Sequence, residues 1–273
     1  MAFDTCTFEY DGVSCEEYGL MYYEIDGNSQ SDGVINEGFS PVSDHVARRF
    51  RPIHYGVEKS DHMEFDMVFG SLVPLDRVDI GNIAKWLTGR NYYAPLIIHQ
   101  DDMYGIQYKV IFTDMQIIDV DGIPYAFSAH AVCDGPFAYT EPLSQAFQCG
   151  SVLTTYFNNI SNVPEMYAPD LRIELASGSN FMLRNITTGE IFSLEFDGAN
   201  TEDITIYIGG DTKVLRFESN DMSSLSLNLY RYMKLNGERH FVFPRFAQGE
   251  NEIEITGDCT LHIDSEFPMQ IGY

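Results

Sequence analysis

The chain has 273 residues, with 41 Asp and Glu against 16 Lys and Arg, a formal charge of −25 at pH 7. Hydrophobic content of 44% and aromatic content of 14% belong to a chain that packs a core, and they exclude an acidic disordered one. The charge argues against a protein that grips nucleic acid or anionic lipid through clustered cations; the one basic cluster, Arg48-Arg49-Phe50-Arg51, has Asp44 and Glu58 nearby.

No apolar run approaches the roughly 20 residues that span a bilayer. The opening, Met1-Ala-Phe-Asp-Thr-Cys6, has neither a basic region nor an apolar stretch, so no secretory leader is expected. Asp26 to Ser43, rich in Gly, Ser and Asn, predicts a long loop. From Asp76 to Leu87 the period changes: Ile80, Ile83, Ala84 and Leu87 fall at i, i+3, i+4 and i+7, one face of a helix. Pro74 precedes it, Asp76 or Asp79 can cap it, and Gly89 stands where a helix stops in the left-handed region. A lone helix in a strand-rich chain must cover an open sheet face or bridge to another subunit.

Strands dominate the rest. Gln107 to Val120 and Ile123 to Cys133 are rich in β-branched and aromatic residues, and Asp121-Gly122 between them is a hairpin turn. Glu141-Pro142 opens an irregular stretch interrupted by Pro164 and Pro169, and a domain break is expected near residue 141. Beyond it, strands are predicted over 172–175, 180–186, 190–197, 203–208, 213–218, 225–230, 239–243, 252–256 and 260–263. The connectors are Thr188-Gly189, Asp197-Gly198, Gly209-Gly210, Asn236-Gly237 and Gly257-Asp258. Short strands joined by such turns point to an antiparallel sandwich or barrel.

Five cysteines, Cys6, Cys15, Cys133, Cys149 and Cys259, form no CxxC, so they are expected to be reduced, mostly buried and not zinc ligands. The histidines His45, His54, His62, His99, His130, His240 and His262 lack the paired spacing of a metallohydrolase, and each is expected on a strand or loop with a backbone partner. Asp101-Asp102, Asp119 and Asp121 are the carboxylate pairs that stand out. Among 41 acids such pairs are uninformative, and the register of Asp119 and Asp121 fails as a calcium loop. There is no nucleophile elbow, phosphate loop or dinucleotide fingerprint; Gly150-Ser151 and Gly178-Ser179 read as turns. Asn159-Ile-Ser161 and Asn185-Ile-Thr187 match the glycosylation sequon, which has no meaning without a secretory route. No catalytic, cofactor-binding or metal-binding residue is assigned, and no cofactor. Tyr207, Tyr230, Tyr232 and Phe243 could stack on sugar rings, so a carbohydrate-binding adhesin for host-wall sugars is the alternative function; core or interface packing is the plainer use of such rings.

Three stretches resemble phage distal tail proteins, the hub components of long non-contractile tails. Phe8-Glu-Tyr-Asp-Gly-Val-Ser-Cys-Glu-Glu-Tyr-Gly-Leu20 resembles their opening strand and turn. The middle is similar too: a strand pair around Met63 to Phe69, the helix ending Trp86-Leu87, and a hairpin closed by Asp134-Gly-Pro-Phe-Ala-Tyr139. Pro244 to Gly257 resembles the family's ending, in which a Gly-Glu-Asn turn feeds a strand, with a last strand after it (Cys259 to Ile263). The acidic loop at Asp26 to Ser43 is poorly matched.

The resemblance implies a mainly β subunit in two parts. Residues 1–141 would form a ring-forming, tail-tube-like β-sandwich or split barrel with one helix, and residues 142–273 a galectin-like β-sandwich. Six copies would close into a ring at the distal end of the tail, in a virion assembled in the host cytoplasm. The ring would join the tail tube protein to a tail-associated lysin or fibre and to receptor-binding proteins, with a channel for DNA. The family brings no catalytic residues, so the protein is expected to be structural, neither enzyme, sequence-specific nucleic-acid binder nor membrane-inserted. If acids line the bore, phosphate backbones would be repelled and would slide.

Overall fold

A computed structural model of the chain describes residues 5–23, 39–44, 50–59, 62–100, 103–176, 180–196, 204–218 and 229–271. Alternation of inward apolar and outward polar side chains builds two separate cores. The backbone divides accordingly: one unit is Met1–Thr140 with Met269–Tyr273, the other Glu141–Pro268.

In the first unit the strands are β1 (Thr5–Cys6), β2 (Phe8–Tyr10), β3 (Val13–Ser14), β4 (Leu20–Tyr23), β5 (Phe39–Asp44), β6 (Ile53–Lys59), β7 (Glu64–Ser71), β8 (Ala94–Ile98), β9 (Ile106–Val120), β10 (Ile123–Cys133) and β11 (Ala138–Thr140). The helix α1 spans Arg77–Thr88. Antiparallel pairing gives the sheet order β1-β4-β7-β10-β9-β8-β2-β3, with β11 on β9. Asp11-Gly12 and Asp121-Gly122 turn their hairpins with both φ values positive (55° and 73°, 53° and 78°), the twist that suits a two-residue loop.

Phe8, Tyr10, Met67, Phe69, Val110, Phe112, Phe127 and Ala129 form one buried face of this sheet, and α1 lies over it with Ile83, Trp86 and Leu87. Asp76 caps the helix in a full capping box with Asp79, accepting from Val78 N–H at 2.7 Å and Asp79 N–H at 2.9 Å. These bonds, led by the one from Asp79 N–H, hold the Asp76 carboxyl below its ordinary pKa. Gly89 is the C-cap as expected but not left-handed, with φ at −80°. The helix covers its own sheet, one of the two roles expected of it.

Among the described residues, β5 and β6 pair with each other and with no other strand. The loop expected over Asp26 to Ser43 is therefore corrected at its end: Phe39 to Ser43 is strand, because Val42 and its neighbours find partners at residues 54 to 59. The remainder of that loop lies outside the described residues.

The second unit holds β12 (Leu143–Cys149), β13 (Val152–Asn159), β14 (Asp170–Leu175), β15 (Phe181–Asn185), β16 (Ile191–Leu194), β17 (Ile204–Ile208), β18 (Leu215–Glu218), β19 (Lys234–Leu235), β20 (Glu238–Arg239), β21 (Gly249–Thr256) and β22 (Cys259–Ser265). One sheet runs β12-β22-β14-β17-β18, the other β13-β21-β15-β16. Leu171, Ile173, Ile206, Leu261 and Ile263 of the first share one core with Phe157, Leu183, Phe192, Ile253 and Ile255 of the second, a β-sandwich. A last short strand, β23 (Pro268–Met269), pairs with β11, and Ile271 packs on the first core.

Three expectations in this half are corrected. The stretch from Glu141-Pro142 is not irregular: β12 and β13 occupy most of it, turning at Gly150-Ser151. Only Arg239 of 239–243 is in a strand; His240 onward leaves the ribbon because its N–H goes to Met233 O and its ring to Ile191 O. Of 225–230, the described part, Leu229 and Tyr230, begins a 3-10 turn.

Irregular residues 243–249 are held by buried asparagines. Asn251 donates to Ala247 O (2.7 Å) and Gly249 O (2.9 Å) and accepts from Ala247 N–H (3.0 Å). Asn185 donates to Arg245 O and to Asn251 Oδ1, and Asn159 to Phe246 O. Both sequon asparagines thus spend their amides inside the fold.

Candidate functional site

Two ribbons of the first unit carry exposed apolar groups, as do Val78, Tyr92, Tyr93 and Tyr104 elsewhere on it. The β5–β6 ribbon carries Val42 and Tyr55, with Phe50 fully exposed beyond it. An isolated two-stranded ribbon is marginal in water. The other projection is the end of the β9–β10 hairpin. β7 pairs with β10 only over Ala126 to Val132, and β8 with β9 only over residues 108 to 110. Beyond that, β9 and β10 pair with each other, exposing Ile117, Val120 and Ile123. Leu72 and Val73, also exposed, approach this end of the hairpin, where Leu75 N–H donates to Pro124 O at 2.9 Å.

A rigid base carries these ribbons. Trp86 stacks on Phe8 (5.8 Å) and Tyr18 (4.7 Å), and its indole N–H donates to Tyr10 O at 3.2 Å. Beyond the helix, Arg90 Nε and the Tyr92 hydroxyl both donate to Asp11 Oδ2, at 2.7 and 2.9 Å, fastening the β2–β3 turn.

The histidines take carboxylates as partners more often than the backbone, which corrects the expectation. His130, on β10, reaches Asp66 Oδ1 with Nδ1 (2.8 Å) and Glu64 Oε2 with Nε2 (3.2 Å), while His62 Nε2 meets Glu64 Oε1 (2.7 Å). The hydrogen bond to Asp66 first, then that to Glu64, raises the His130 pKa; the bonds from His62 and His130 lower that of Glu64. His99 lies 3.5 Å from Glu9 and His262 3.4 Å from Glu174. His240 takes a backbone partner, Ile191 O. His54 is exposed on β6, and His45 lies outside the described residues. The His62-x-Glu64-x-Asp66 alternation was visible in the sequence, but its cross-strand partner His130 was not.

Among the described residues no three His, Cys, Asp or Glu side chains are arranged to hold a metal ion. Cys15, Cys133, Cys149 and Cys259 are buried thiols, and burial pushes those of Cys133 and Cys259 up to about 12, which makes them packing groups. Asp119 and Asp121 are exposed at a hairpin tip; Asp101, Asp102, Gly178 and Ser179 lie outside the described residues.

The four aromatics considered for sugar have different fates. Tyr232 is buried against Phe196, and Phe243 packs on the core. Tyr207 stands on the outer face of its sheet with its hydroxyl donating to Glu218. Tyr230 donates to Lys213 O, and Lys213 Nζ lies 5.9 Å from the Phe243 ring, so Tyr230 and Phe243 both flank Lys213.

A family model described as a phage tail protein N-terminal domain matches residues 3–135, nearly the whole of the first unit. The crystal structure of the SPP1 Dit protein, described as a paradigm of the hub of the adsorption apparatus in phages that infect Gram-positive bacteria, is similar over 96% of this chain and 99% of its own. Its TM-score is 0.64 and its identity 12%. No curated protein sequence matches the chain. Residues 3–135 thus match the phage tail protein N-terminal domain family, and the chain shares its fold with the SPP1 Dit hub protein.

Proposed function

We propose that six copies of this chain close into a ring at the distal end of a long non-contractile tail. The observation that carries this reading is the likeness to a hub protein along the full length of both chains. The two ribbons support it. Each exposes apolar side chains on backbone that a neighbouring copy can cover, and a closed ring satisfies all six identically. The first unit would act as a tail-tube-like ring former, and the second as a galectin-like sandwich facing outward.

On this reading the ring joins the tail tube to a tail-associated lysin or fibre, receptor-binding proteins attach at its flank, and the subunit assembles in the host cytoplasm. It is a shaped part and not an enzyme. Acids facing the bore would keep DNA from adhering. The test is the mass of the purified protein together with negative-stain imaging. Six-fold rings with a central hole are expected; a monomer that associates neither with itself nor with a tail tube protein overturns the proposal.

A further inference from the structure

The second unit leaves long strand edges without charge, and β13 is the longer of them. Its two sheets have four edges. β16 is four residues long and covered: Leu194 bridges to Met233, Glu195 N–H donates to Tyr232 O at 2.8 Å, and His240 Nε2 lies 2.8 Å from Ile191 O. β18 is equally short and carries Arg216 and Glu218, charges that discourage pairing. The other two edges, β12 and β13, belong to one hairpin within Pro142 to Pro164, a stretch with no Asp, Glu, Lys or Arg in a chain that is 21% charged. On β12 the Ser144 hydroxyl is engaged with Asp264. β13 has all eight residues paired to β21 without a register shift. Among the described residues, no backbone bond is made from its other side. Val152 and Tyr156 stand 60% and 58% exposed upon it. A long, flat, uncharged edge is a template for another strand.

The neighbouring surface specifies which strand. Thr154, Tyr156 and Asn158 stand opposite Glu254, Glu252 and Glu250 of β21, an acidic row on the outer face. Arg184 of β15 stands opposite Glu254, yet none of the three carboxylates is in an ion pair among the described residues. A strand added beside β13 would lie about 4.8 Å from it and twice that from β21, within reach of long cationic side chains. A second copy would bring its own acidic row and another −25 charges instead. We propose that β13 accepts an extended strand of a partner protein, paired backbone to backbone along its free edge and carrying Lys or Arg at alternate positions over Glu250, Glu252 and Glu254. The ring need not form for this site to exist.

The probe is a synthetic peptide, Lys-Val-Lys-Thr-Lys-Val-Lys-Thr, added to the full chain. Its control has the same side chains but N-methyl groups on alternate amides, which removes strand pairing and keeps the charge. The unmodified peptide should bind and slow hydrogen exchange across residues 152–159. Binding should weaken about tenfold or more in the triple variant Glu250→Gln/Glu252→Gln/Glu254→Gln, and also in Val152→Ser/Tyr156→Ser. Thermal melting of the free variants should stay close to that of the parent. Equal binding by the N-methylated peptide, no saturation at millimolar peptide, or no protection of 152–159 overturns the proposal. So does self-association of the chain alone that Val152→Ser/Tyr156→Ser abolishes, since the occupant would then be a second copy.

Discussion

Trp86 shows how one side chain can organise a unit. It is the only tryptophan, it is buried, and it stacks on Phe8 of β2 and on Tyr18 of the 3-10 turn before β4 while its N–H satisfies Tyr10 O. Trp86→Ala should cost about 3–5 kcal/mol by leaving a cavity and an orphaned carbonyl, and Trp86→Phe less; urea unfolding followed by circular dichroism measures both. Asn251 does comparable work in the second unit, where Asn251→Ala should cost about 2–4 kcal/mol by stranding Ala247 and Gly249 backbone groups. That explains the Gly-Glu-Asn ending physically: Gly249, with φ at 88°, makes the turn and Asn251 pins it. His130 makes stability depend on pH. Its pKa is raised on folding from an ordinary value of 6.5, so its contribution is full below that value and lost as pH rises through the raised one. Glu64, with a lowered pKa, contributes above its ordinary 4.5 and loses this as pH falls through the lowered value. The melting temperature should therefore decline above about pH 6.5 in the parent, and His130→Gln should flatten that decline. An unchanged slope would show the cluster to be incidental.

At the scale of elements, α1 was legible, apart from the conformation of its C-cap, because its start and its buried stripe are written locally. Asp76→Ala should cost about 1 kcal/mol by removing the capping box, measurable as a shift in the urea midpoint with an unchanged slope. The β9–β10 hairpin was legible for the same reason: Asp121-Gly122 is a local turn signal between two long β-rich runs. β13 was legible too and was missed. Val-Leu-Thr-Thr-Tyr-Phe is a strand composition, but the prolines around it and the polar residues of β12 suggested a loop. Residues 240–243 failed for the opposite reason. Phe241, Val242 and Phe243 have strand propensity, yet His240 is held by Met233 and Ile191, and the segment packs across the sandwich margin instead of pairing.

For the whole molecule, charge and apolar surface oppose one another. Six copies would carry 6 × −25, about −150, before counterions. If the ring closes through the apolar ribbons, added salt should favour it by screening. Sedimentation at about 20 mM and about 300 mM salt should show a larger hexamer fraction at the higher concentration. A fraction that falls with salt would mean that ion pairs hold the interface. Replacing Ile117, Val120 and Ile123 together with Ser should reduce the hexamer fraction by about tenfold or more while leaving the melting of the subunit nearly unchanged.

The amino-acid order alone determined the mainly β class, the position of the helix, most turns of the second unit and the absence of a recognisable catalytic motif. All of these depend on neighbours within a few residues, or on composition. The tertiary structure decided which edges and faces remain open. Among the described residues, the β5–β6 ribbon has no third strand, and β13 is an open edge whose partner there is β21, some hundred residues later in the chain. His130 met Glu64 and Asp66 for the same reason: cross-strand register joins residues far apart in sequence, and no local pattern encodes it.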